Sequence, residues 1–142
     1  MIEIVTATSS LRRSGIGSIT GQVFLRGPIG DFPETGWSDF PVVVLGWWIH
    51  GLTGLASGRA RLFQGMFMDG PYGFVVARDA GNVDRIAWGE VGEEASIGTV
   101  DLPALLGSAV AAGTLVAAAC RTQRWTSLDL DSLERSIERT VA

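Results

Sequence analysis

One histidine, one cysteine and a run of carboxylates are the side chains of this chain that could do chemistry. His50 is the sole histidine, so any imidazole mechanism must use it. It sits one turn from Trp47 in an apolar stretch, and no Gly-x-Ser-x-Gly elbow offers it a serine to activate. A buried or interfacial histidine holding a structural hydrogen bond is expected there. Cys120 follows Ala117-Ala118-Ala119 near the end of an Ala-rich helix, where terminal carbonyls disfavour a thiolate. It reads as a core thiol. One His and one Cys cannot build a zinc set, and Glu90, Glu93, Glu94 and Asp101 lack the spacing of a calcium loop. No catalytic residue, metal or cofactor is therefore assigned, and the chain is not expected to be an enzyme. Gly15-Ile16-Gly17 through Gly21 lacks the Gly-Lys-Ser/Thr ending of a phosphate loop and opens no helix, so it reads as the approach to a strand. Asp69-Gly70-Pro71-Tyr72 reads as a turn, with the sole tyrosine beside it as a candidate partner anchor.

Composition bounds what these residues can serve. At 142 residues, 46 % apolar and 18 % charged, the chain is one domain able to bury a core and is not disordered. All eleven basic residues are arginine, the mark of a GC-rich bacterial genome. Residues 1–89 hold seven Arg against seven acids, and residues 90–142 hold four against eight, so the second segment carries the whole net charge of −4. An acidic balance opposes nucleic-acid binding, which needs cations to displace phosphate counterions, and suits a basic protein partner. A single cysteine excludes an internal disulfide and fits a reducing compartment. Met1 to Val5 has an early acid and no basic n-region, so a cytoplasmic protein is expected. Phe40–Gly58 and Leu102–Cys120 are both uncharged over roughly a bilayer's span. Mid-stretch Trp and His in the first, and Ala, Gly, Ser and Thr in the second, favour buried helices over a membrane protein.

The elements that must position these groups follow from periodicity. Ile2–Ala7 reads as a strand, Ser9–Gly17 as a polar connection, Ser18–Arg26 as an alternating strand, and Gly27–Gly36 as a loop. A helix capped by Ser38 or Asp39, with Pro41 in its first turn, is predicted to run to Ser57 and stop at Gly58. Its apolar residues surround the axis, which requires cover on more than one side. Arg59–Met68, Tyr72–Arg78 and Val83–Gly89 form a predicted meander, with a short strand at Ala95–Val100. Asp101 caps a second long helix, and Asp131 and Glu134 stand at capping-box spacing for a third. The expected fold is one α+β domain over residues 1–142. A mostly antiparallel sheet of about five strands carries two long helices and a C-terminal helix on one face.

Trp-Ser-Asp-Phe at 37–40, Val-Val-Val-Leu-Gly-Trp-Trp at 42–48 and Phe-Met-Asp-Gly-Pro-Tyr at 67–72 resemble the motifs of a family of small bacterial proteins. In size and acidity the chain is also similar to immunity proteins of contact-dependent, or polymorphic, toxin systems. The resemblance implies a cytoplasmic, non-catalytic inhibitor that binds a cognate toxin domain, often a basic nuclease. Asp69, Tyr72, Asp84, Glu90, Glu93 and Glu94 are the expected contact residues. The alternative is a small-ligand binder or small enzyme with a pocket near Trp37, Trp47, Trp48 and His50. A third expectation is a homodimer that buries the apolar helix between subunits.

Overall fold

The computed structural model describes residues 1–141. Its strands are β1 (Glu3–Arg13), β2 (Ile19–Gly27), β3 (Gly30–Phe32), β4 (Ser38–Asp39), β5 (Leu62–Met66), β6 (Tyr72–Arg78), β7 (Asp84–Glu90) and β8 (Ala95–Thr99). Its helices are α1 (Pro41–Ala56), α2 (Leu102–Thr122) and α3 (Leu128–Val141). The α+β class is as expected, but the strands form two four-stranded antiparallel sheets rather than one of about five. Sheet A holds β1 to β4, with β3 and β4 both pairing with β2, and sheet B is the meander β5-β6-β7-β8.

The extra strand residues come from segments read as connections and, at Ser38–Asp39, from the expected start of the first helix. Polar residues after Ala7 continue β1 through a bulge to Arg13, because edge-strand residues facing water need not be apolar. Gly30–Phe32 and Ser38–Asp39 are too short to show a period, yet both pair with β2. The two sheets meet where Trp88 of β7 lies over Gly27 of β2: a Cβ on Gly27 would stand 2.7 Å from the indole. Phe32 stacks on the same indole at 5.3 Å.

The helices do not share one face of one sheet. α1 lies between sheet B and the other two helices, which is the cover its apolar circumference requires. Val42, Gly46, Ile49 and Thr53 turn toward α3. Gly46 is matched with Leu133, and the Thr53 and Thr140 hydroxyls stand 2.8 Å apart, so α1 and α3 run parallel. Trp48 and Gly51 turn toward sheet B, where Trp48 packs edge-on against Phe67 and Phe74. The stripe Val43, Trp47 and His50 is left open. α2 packs on β1, and its Ser108 hydroxyl accepts the Ile4 amide N–H at 2.8 Å. By length and a mean hydropathy of 1.8, α2 could also cross a membrane, although its Leu105, Ala109, Val116 and Cys120 belong to the core.

Helix starts differ from expectation in an instructive way. Asp101 caps α2 as expected, accepting the Ala104 amide at 3.1 Å. Phe40, not Ser38 or Asp39, occupies the N-cap of α1 and has no side-chain cap bond. Asp39 is spent elsewhere, as described below. At α3, Ser127 accepts the Leu130 amide at 3.0 Å, while Asp131 and Glu134 bind Arg121 of α2 instead of forming a capping box.

Glycine and phenylalanine interlock between α1 and sheet B. Gly65 of β5 stands opposite Phe74 of β6, and a Cβ there would lie 2.3 Å from the ring of Phe74. Phe74 is fully buried and has nowhere to move. Gly65→Ala is therefore expected to lower stability by about 1–3 kcal/mol through overpacking. Gly54→Ala in α1 meets open space and should raise stability by about 0.5–1 kcal/mol through helix propensity. Denaturant midpoints of the two variants moving in the same direction would contradict this packing.

Candidate functional site

The meander sorts its turns by end. The β5–β6 turn (67–71) and the β7–β8 turn (91–94) share one end of sheet B, joined by the Val91 amide donating to the Pro71 carbonyl at 2.8 Å. The β6–β7 turn lies at the other. Five of the six expected contact residues fall at the first end. Tyr72 and Glu90 are register partners, Asp69 precedes Tyr72 in its turn, and Glu93 and Glu94 follow Glu90 in the next. Asp84 does not join them. It begins β7, about 20 Å away along the strand, and its carboxylate pairs with Arg78 at 3.0 Å. That charge is locally neutralised, which single-sequence reading could not see because the pairing is across strands.

The five differ in freedom. Asp69, Glu90 and Glu93 are exposed. Glu94 is half-buried: Oε1 accepts the Gly92 amide at 3.0 Å, and Oε2 is enclosed without a protein partner. It shapes its turn as much as it charges the surface. Tyr72 is half-buried, its ring edge-on to Phe32 and Trp37 at 5.9 and 5.4 Å. Exposed Met68, Pro71 and Val91 lie among the carboxylates, so this end is acidic with apolar content.

A single buried carboxylate holds this end in place. Asp39, 2 % exposed, accepts four N–H groups. The Trp37 indole N–H and the Asp69 amide reach Oδ2 at 3.0 Å each. The Phe40 and Met68 amides reach Oδ1 at 2.8 and 3.1 Å. The carboxylate thus fastens the β5–β6 turn to the start of α1. The sequence marks Asp39 only as a helix cap, since nothing local signals amides some thirty residues later.

The second candidate lies on the open stripe of α1. Val42, Val43, Gly46, Gly51 and Phe63 floor a groove of about 550 Å³, walled by Trp47 and rimmed by His50 with Asp129, Ser132 and Ser136 of α3. Of the four residues expected at such a pocket, Trp47 and His50 are present. Trp48 is fully buried with its indole N–H on the Met66 carbonyl at 3.0 Å, and Trp37 belongs to the Asp39 cluster. His50 is exposed rather than buried, because α3 and sheet B cover the flanks of α1 and leave this stripe bare. Asp129, Ser132 and Ser136 join the groove in addition to the expected residues, their spacing placing them on one face of α3.

Cys120 is buried, and burial pushes its thiol pKa up, with nearby Arg121 opposing. This is an inert core thiol, as its Ala-rich setting implied. Among the described residues no three His, Cys, Asp or Glu side chains gather as a metal site. Comparison with protein-family models, curated proteins and solved structures gives no match.

The weight placed on Asp39 has a measurable consequence. Asp39→Asn keeps the shape but turns an amide NH₂ toward N–H donors, leaving buried groups unpaired. A loss of about 3 kcal/mol is expected, read as a lower denaturant midpoint with an unchanged slope. A variant as stable as the parent would show that the four bonds are replaceable.

Proposed function

We propose that this chain is a non-catalytic immunity or inhibitor protein that binds and neutralises a cognate bacterial toxin domain in the cytoplasm, a basic nuclease being the partner its charge suits best. The supporting observation is the gathering of Asp69, Glu90, Glu93 and Glu94 around Tyr72 at one end of sheet B. Exposed carboxylates steer a basic partner and raise its association rate. Met68, Pro71 and Val91 among them offer apolar contact that slows release. Rigid scaffolding by Asp39 limits the ordering cost of binding.

The partner to test is the C-terminal domain encoded by the neighbouring upstream reading frame. Co-expression should give a stoichiometric complex and rescue growth if that domain is toxic. In such a complex, Glu90→Arg with Glu93→Arg is expected to slow association about tenfold at low salt and to flatten its salt dependence. Both residues are exposed and make no ion pair among the described residues, so the fold should persist. An unchanged rate and salt slope would remove the acidic end from the interface.

A further inference from the structure

The groove on α1 does not stop at His50. It continues into a recess of about 400 Å³ lined by His50, Thr53, Arg59, Ser136, Arg139 and Thr140, sharing His50 and Ser136 with the apolar section. The two guanidiniums are exposed, and among the described residues neither has a carboxylate within ion-pair distance. This cationic pair stands in a chain of net charge −4. Complementing the C-terminal carbonyls of α3 accounts for Arg139 in its last turn. It does not account for Arg59, which lies beyond Gly58 in the connection to β5.

The rest of the groove has the opposite character. Its floor is apolar, and Trp47, 51 % exposed, presents a bare indole to it. At the far end stands Asp129, a carboxylate with no ion pair among the described residues. Ten residues of α3 separate Asp129 from Arg139, about 15 Å along the helix. The groove is thus elongated, apolar in the middle, cationic at one end and anionic at the other.

We propose that this groove binds an amphipathic anion, with a carboxylate or phosphate head between Arg59 and Arg139 beside His50 and an elongated apolar body over Val43 and Phe63 against Trp47. Paired guanidiniums match either head through charge-assisted hydrogen bonds. The volume is that of a small-ligand cleft with a few convergent polar groups. Asp129 fixes the orientation by repelling the head from the other end. The site centres on α1 and α3 and adjoins the acidic end of sheet B through Met68, which lines a neighbouring cavity with Val42, Val43 and Asp129. Its cationic end at Arg59 and Arg139 is read by ligand binding, independently of toxin binding.

The test uses the full chain titrated below micellar concentrations with dodecanoate, dodecyl phosphate, dodecyltrimethylammonium and dodecyl maltoside, and separately with inorganic phosphate. Calorimetry gives affinity, and indole and imidazole NMR signals give location. Saturable one-to-one binding of either anionic amphiphile, moving the Trp47 and His50 signals, is the expected result, and which head binds more tightly separates carboxylate from phosphate ligands. Arg59→Gln with Arg139→Gln should weaken that binding about tenfold or more, and Trp47→Ala should weaken it while keeping the preference for anions. Equal binding of the cationic or neutral amphiphile, no saturable binding of either anion, or shifts confined to other residues would overturn the assignment. Inorganic phosphate binding as tightly as dodecyl phosphate would overturn its apolar half.

Discussion

A carboxylate with 2 % exposure and, among the described residues, no cationic partner is a costly thing to bury, and Asp39 is tolerable only because four N–H groups converge on it. Those donors come from three places in the chain: the Trp37 side chain, the first residue before α1, and the turn after β5. Satisfying them fixes where α1 starts, how β4 lies on β2, and where sheet B sits relative to both. It also explains why α1 has no side-chain cap. Asp39 could have bonded the helix's free amides, and the fold uses it to join two sheets instead.

Around that anchor the two sheets and α1 are held by shape rather than charge. Gly27 admits Trp88, Gly51 admits Phe63 and Gly65 admits Phe74, so each large ring has a position without a side chain opposite it. The rings then meet one another edge-on, while Phe32 and Trp88 stack flat. Such a core keeps close packing while leaving polar and charged side chains to the turns and helix faces. The acidic end of sheet B and the groove on α1 are both by-products of it: one is where the meander's turns must go, the other is the flank of α1 that no element covers.

What was legible in the sequence was what local pattern encodes. Alternation and turn residues placed β2, β6 and β7 within a residue or two, and apolar length with Pro and Gly punctuation placed α1 and α2. The contact surface expected of Asp69, Tyr72, Glu90, Glu93 and Glu94 included Asp84, which stands at the other end of the meander. Pairing across elements was not legible. Asp84 finds Arg78, Asp131 and Glu134 find Arg121, and Asp39 finds the turn at Met68, each through contacts that no spacing rule reports. β3 and β4 escaped because two or three residues carry no period. The bare face of His50 escaped because exposure depends on which flanks α3 and sheet B happen to cover.

Ser108 makes a small contact with a wide reach. Its hydroxyl accepts the Ile4 amide and donates back to the Ile4 carbonyl at 3.4 Å, so one side chain on α2 occupies both backbone groups at that point of a sheet's outermost strand. An unoccupied rim of this kind is a template on which a foreign strand can grow, and long ones invite aggregation. On β1, the longest strand, that template is interrupted by a helix laid against it. The other strand margins, β3 and β4 in the same sheet and β5 and β8 in the second, run for only two to five residues and give little length for a stranger to zip onto.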